Sequence, residues 1–170
     1  TNGTNRRGVY GSASTTYGYA GYFSGNVYVT GTVTEVSDIR FKTNLSNISG
    51  ALDKILALQG VMYDWKSENE ISSLFINTDK PEDERNYNFS EDRQVGLIAQ
   101  DVEKFIPELV NTDGDGFKSV NYSKLTPVLI EAFKEQHLII EDQNEKIKTQ
   151  DERILKLEQE IEELKLLISK

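Results

Sequence analysis

The spacing of apolar positions changes twice along this chain. Up to Val36 it runs in short alternations, clearest in Val27-Tyr28-Val29-Thr30 and Val33-Thr34-Glu35-Val36, set between glycines in Gly8-Val-Tyr-Gly11 and Gly18-Tyr-Ala-Gly-Tyr-Phe-Ser-Gly25. Period-two alternation broken by glycine predicts short β-strands and turns. Thirty-six such residues cannot bury a core alone, and isolated strands of this kind are marginal. More of the same upstream, or other copies of the chain, must supply the partners. A disordered Gly/Thr linker is the blander alternative, and the regular placement of Tyr and Val favours a stalk.

Residues 37–125 read as a small mixed α+β unit. Ser49 is expected to cap a helix from Ala51 to Gln59, with Leu52, Ile55 and Leu56 on one face and Gly60 as its stop. Val61-Met-Tyr-Asp-Trp65 alternates like a strand, with Val61, Tyr63 and Trp65 inward. From Ser67 to Arg93 the chain turns polar and acidic around Pro81, an exposed excursion whose apolar anchor is Leu74-Phe75-Ile76. Val95-Gly-Leu-Ile-Ala99 returns to the core and leads into a helix through Gln100, Val102 and Phe105, halted by Pro107. Leu109-Val110 and Phe117-Lys-Ser-Val120 flank Thr112-Asp-Gly-Asp-Gly116, a hairpin signal.

From Thr126-Pro127 the pattern predicts one long helix, residues 126–170, with Thr126 as N-cap and Pro127 at its first position. With Phe133 at heptad position a, Ile occupies a at 140, 147, 154, 161 and 168. Position d holds Leu129, Gln136, Gln143, Gln150, Leu157 and Leu164. This is a coiled-coil seam of roughly 65 Å at 1.5 Å per residue. In a parallel pair the g-to-e partners are Lys146 with Asp151, Arg153 with Glu158, and Glu160 with Lys165, all opposite in sign. The helix is therefore written to pair in parallel with copies of itself. Ile at a with Leu at d leans toward two strands, and three Gln layers weaken that rule, so the number of strands stays open.

Charge sharpens the first boundary. The whole chain holds 28 acidic against 19 basic residues, net −9; residues 1–36 hold Arg6 and Arg7 against Glu35, net +1, leaving −10 for the rest. An acidic balance argues against nucleic acid as a partner, and no apolar run reaches bilayer-spanning length, so no membrane partner is expected. The chain lacks Cys, which removes thiolate chemistry and Cys-based zinc sites, and a single His leaves Ser-His-Asp chemistry little to work with. No cofactor or metal is expected. The chain starts at Thr1 without a basic-then-apolar leader, so we expect a segment of a longer protein.

At the boundary stands Val36-Ser37-Asp38-Ile39-Arg40-Phe41-Lys42. A Ser and a Lys form a nucleophile–base pair without histidine when the Lys is neutral. Five residues of separation face the two side chains together only if the backbone bends between them. Alone the spacing is a weak signal, and a capped turn explains it as well. Its surroundings add to it. Ser37-Asp-Ile-Arg-Phe-Lys42 with Asn44-Leu45 resembles the opening of the intramolecular chaperone auto-processing domain, the peptidase S74 family of phage tail fibres and tail spikes. The resemblance continues through Ala51–Lys66, Val95–Glu103, Ile106–Val110 and Val120–Glu135.

That resemblance implies an α+β architecture: a short β-rich trimeric stalk (1–36), a small mixed α+β chaperone domain (37–125), and a C-terminal helix (126–170) in a parallel trimeric coiled coil. It implies a homotrimer whose folding client is the upstream stalk of the same chains. It implies self-cleavage between Val36 and Ser37, with Ser37 attacking the Val36 carbonyl, Lys42 as general base, and Asp38 and Arg40 in support. Burial in the trimer and Arg40 would favour a neutral Lys42; Asp38 would oppose it. The place implied is a phage tail fibre precursor assembled in the host cytoplasm, the chaperone being released after cleavage. A permanent, uncut trimeric cap is the competing reading, and a membrane-tethered transcription-factor module resembling the myelin regulatory factor is a more distant one. The excursion at 67–93 is longer than the family's usual link.

Three further signals are weak. Asp113-Gly-Asp115-Gly has a calcium-loop flavour, but the twelfth position is Lys124 rather than Glu. His137 falls at heptad position e and reads as a surface residue. Trp65 and the stalk tyrosines could form a sugar platform, though packing is the plainer role.

Overall fold

The computed structural model describes residues 9–14, 19–21, 23, 26–74 and 89–169. Helix α1 spans Ala51–Leu56, β1 Gly60–Tyr63, α2 Glu68–Ser73, β2 Gln94–Leu97, α3 Ala99–Phe105, β3 Val110–Thr112, β4 Lys118–Val120 and α4 Leu125–Ile168. One-turn 3₁₀ helices occupy Ile39–Phe41 and Pro107–Leu109. The mixed α+β class read from the pattern is the class observed.

The two sheets are antiparallel pairs. β1 meets β2 with Gly60 opposite Leu97 and Tyr63 opposite Gln94. β3 meets β4 with Val110 opposite Val120 and Thr112 opposite Lys118, the expected hairpin. Its turn is tied by Asp113, whose Oδ1 accepts the backbone N–H of Asp115 and of Phe117, each at 2.9 Å. Gly116 takes φ +87°, where a Cβ would be strained, which accounts for the Asp-Gly-Asp-Gly run as turn chemistry.

The core gathers Ala51 from α1, Val102 from α3, Ile106 and Leu109 from the turn after it, and Val128 and Ala132 from α4. Ile48, Leu52, Ile55, Leu97, Val110 and Val120 pack around its edge. Tyr122 locks the upper rim: its hydroxyl accepts the Leu97 N–H at 2.9 Å. A Cβ on Gly96 would stand 2.7 Å from that oxygen, so the glycine of Val95-Gly-Leu makes room for a tyrosine 26 positions away.

Several expectations need correction. The described residues between 9 and 36 form no strand; Val27, Tyr28, Val29 and Val33 are exposed, because a ladder needs a neighbouring strand and none of the described residues supplies one. Helix α1 ends at Leu56 rather than Gln59, Leu56 faces solvent, and Ser49 is not its cap: Gly50 is the N-cap residue, and the orphan N–H groups are met from elsewhere. Val61 and Tyr63 turn inward as expected, but the strand stops at Tyr63. Trp65, 40% exposed, leaves the core and stacks on Phe89 at 3.8 Å, with Tyr63 edge-on at 5.1 Å. The excursion opens with α2, whose Glu70 carboxylate accepts the Ser67 N–H at 3.0 Å and its hydroxyl at 2.6 Å. Ser67-x-x-Glu70 was readable as a capping box. Leu74 of the anchor is half exposed; Phe75 and Ile76 lie outside the described residues. Helix α4 starts one residue before Thr126, after a turn in which Asn121 Oδ1 accepts the Lys124 N–H at 3.3 Å. Pro127 consequently sits at its third position, which still requires no intrahelical donor.

Candidate active site

The junction begins as extended chain and then makes a single tight turn. Asp38 caps that turn, its Oδ1 accepting the Arg40 backbone N–H at 2.9 Å. Backbone bonds from Phe41 N–H to the Asp38 carbonyl (3.1 Å) and from Lys42 N–H to the Ile39 carbonyl (3.0 Å) close it. This is the bend that the Ser37–Lys42 spacing demands. With it in place, Lys42 Nζ donates to Ser37 Oγ at 2.7 Å. The distance is within proton-transfer reach.

Asp38 and Arg40 are occupied with each other. The guanidinium Nε donates to Oδ1 at 3.0 Å and Oδ2 at 3.1 Å, and Nη2 donates to Oδ2 at 2.6 Å. Side-chain bonds from Arg40, then its backbone N–H, hold the Asp38 carboxyl below the ordinary carboxylate range, and the same pairing raises Arg40. Their opposed influences on Lys42 expected from the sequence therefore meet as a neutralised pair, and the plain role of both residues is to hold the turn.

The surroundings are open. Ser37 and Lys42 are exposed, and Val36, Ile39 and Phe41 are 81%, 68% and 77% exposed. Asn44, at φ +52°, bends the chain just after the pair, a conformation Asn tolerates better than most side chains.

A second polar site escaped the sequence reading. Glu135 of α4 reaches α1, its Oε1 accepting the Ala51 N–H at 3.1 Å and its Oε2 the Leu52 N–H at 2.8 Å. These bonds, Leu52 first, hold its carboxyl below the ordinary glutamate value. The one available signal was its place on a stripe with Leu125, Val128 and Ala132, positions g and c of the heptads rather than a and d.

The weaker signals resolve plainly. Asp113 spends its carboxylate on the hairpin turn. His137 is exposed, with Nε2 3.4 Å from Glu141 Oε1 one turn on. Trp65 contributes with Tyr19, Ile71, Leu74, Phe89 and Phe117 to an open groove of about 460 Å³. Among the described residues no helix is long and apolar enough to cross a membrane.

Comparison with known proteins bears directly on the junction. Residues 37–111 match the family model Peptidase S74, described as chaperone of endosialidase, and the match opens at Ser37. The long tail fiber protein Gp37 of Enterobacteria phage K3 is 31% identical over 122 residues, covering 69% of this chain and 8% of that protein. Its counterpart in Enterobacteria phage T2 matches equally, over 7% of its length. The chain thus spans less than a tenth of these curated relatives.

Proposed function

Given that the chain carries, across residues 37–111, a Peptidase S74 domain of the chaperone-of-endosialidase family and is distantly similar to phage long tail fibre proteins, we propose that it trimerises and folds a phage fibre stalk and then cuts itself free between Val36 and Ser37. The observation that carries this reading is the 2.7 Å contact between Lys42 Nζ and Ser37 Oγ, held across one capped turn.

In the proposed reaction a neutral Lys42 takes the Ser37 hydroxyl proton as Oγ attacks the Val36 carbonyl carbon. The C–N bond of the Val36–Ser37 peptide then breaks, and Lys42 returns the proton to the departing Ser37 nitrogen. Val36 is left as an ester on Ser37 Oγ. Water, deprotonated by the same amine, hydrolyses that ester to a Val36 carboxylate and restores the hydroxyl. The exposed apolar residues Val36, Ile39 and Phe41 fit a site that neighbouring protomers cover. Covering it removes water from Lys42, which makes cutting a consequence of assembly.

The chaperone role rests on the helix. Six a positions and six d positions line one face of α4 and are exposed in the single chain, as a seam awaiting other copies would be. Bringing three helices together in parallel raises the local concentration of three stalks and aligns their register. Cutting afterwards makes the stability of the stalk kinetic.

Intact mass of the purified protein beside Ser37→Ala, with native mass for stoichiometry, tests this reading. Two fragments dividing at Val36–Ser37, absent from the variant, with a trimeric native mass, are expected. An uncut wild-type trimer would overturn the proteolysis and leave a permanent cap.

A further inference from the structure

We propose that Glu135 is a positioning residue that ties the coiled-coil helix to the segment bearing Ser37 and Lys42, so that the long helix governs where the reacting pair sits on the domain; this rests on the function proposed above. Helix α4 presents two stripes. Leu125, Val128 and Ala132 face the core of the same chain and Glu135 bonds α1, while Leu129, Phe133, Gln136 and Ile140 lie about 100° away and face solvent. One helix therefore docks inside its own protomer and keeps its seam free for other copies.

Glu135 is the polar end of the docked stripe. Ala51 is fully buried, so its N–H and that of Leu52, orphaned at a helix start, depend on this carboxylate. From that anchor the chain runs back through Gly50, at φ +61°, and Ile48, packed on the core edge, to Asn44 and Lys42. The turn 38–42 is closed by its own bonds, so a displacement of α1 that passes through Ile48 shifts the Ser37–Lys42 pair as a unit on the domain. The carboxylate thus fixes one end of the segment whose other end is the reacting pair.

The test compares Glu135→Ala and Glu135→Gln with wild type, using Glu131→Ala, one turn earlier and paired with Lys134, as a control. Cleavage is followed by intact mass, stoichiometry by native mass, and amide hydrogen exchange over residues 39–52. Glu135→Ala is expected to remain trimeric, to exchange faster at Ala51 and Leu52 and across 39–48, and to cut about tenfold more slowly, the order of one charge-assisted hydrogen bond. Glu135→Gln, which keeps one acceptor, falls between, and Glu131→Ala matches wild type. Cutting at the wild-type rate with exchange already accelerated would overturn the proposal. If Glu135→Ala fails to assemble, Glu135→Gln decides by the same two readouts. If wild type itself stays uncut, the proposed proteolysis fails; unchanged exchange over 39–48 in the variants would then overturn the tie itself, and accelerated exchange would uphold it.

Discussion

Residues 26–36 and residues 139–168 both leave their apolar side chains in solvent in the single chain, but they differ in what each builds unaided. Val27, Val29 and Val33 belong to no ladder, whereas Ile140, Ile147, Ile154 and Ile161 ride on an unbroken helix. The cause is the source of the backbone hydrogen bonds. A helix closes them four residues away, within the segment, and meets its nucleation cost once for 44 residues. A strand has nothing to bond to until another strand arrives. On the proposed function this difference sets the order of events: the helix can present a finished seam while the stalk is still unpaired, so an element later in the chain organises one that precedes it.

Breaking the seam tests that order most severely. Ile147→Asp with Ile154→Asp places charges at two central a positions, each costing more than about 3 kcal/mol in an assembled core. Native mass should fall to the monomer, and the β-sheet signal of the stalk in circular dichroism should fall with it. A stalk that keeps its β-signal in the monomer would contradict the dependence.

Gly96→Ala strikes the region that packs within its own chain. Its Cβ would press on the Tyr122 oxygen at 2.7 Å, so the domain should lose about 1–3 kcal/mol in denaturant unfolding. The variant should assemble normally once folded, which would separate the stability of the domain from that of the seam.

Acid probes the junction between the two. The Glu135 carboxyl titrates below its ordinary value when folded, so its contribution is fully present above the ordinary glutamate range and is lost as pH falls through the folded value. The thermal midpoint should drop from neutral pH toward pH 3 by a few degrees more in wild type than in Glu135→Gln. Equal slopes would remove Glu135 from the acid response.

The smallest effect concerns direction. In the lone helix Lys146 bonds Asp142 at 2.6 Å and Lys165 lies 3.3 Å from Glu162, so the g and e lysines have alternatives within their own chain. Lys146→Glu should weaken a parallel assembly by about 0.5 kcal/mol per interface, and adding Asp151→Lys should restore it. Restoration failing in concentration-dependent melting would argue against the parallel register.

Much of the local structure was legible. The Asp113–Gly116 hairpin, the helix through Val102, the inward Val61 and Tyr63 and the long helix all follow from spacing that acts within a few residues. The need for a bend between Ser37 and Lys42 was legible too; that Asp38 and Arg40 would make it by pairing with each other was not, because either residue could have faced the lysine. Ser67-x-x-Glu70 is a legible capping box set within a polar, acidic stretch. Alternation alone does not place Trp65, because the ladder ends at Tyr63, opposite Gln94.

By itself, the chain's order of residues determined which segments could become helix or strand, where the seam of α4 runs, and that a serine and a lysine stand one tight turn apart. Tertiary structure alone decided that Glu135 caps a helix 84 positions earlier, that Gly96 yields space to Tyr122, and that the first turns of α4 belong to the domain rather than to the coiled coil. The physical reason is range. Periodicity, caps and turns express forces between near neighbours along the chain, while a carboxylate finds distant N–H groups only after packing has brought the two helices together.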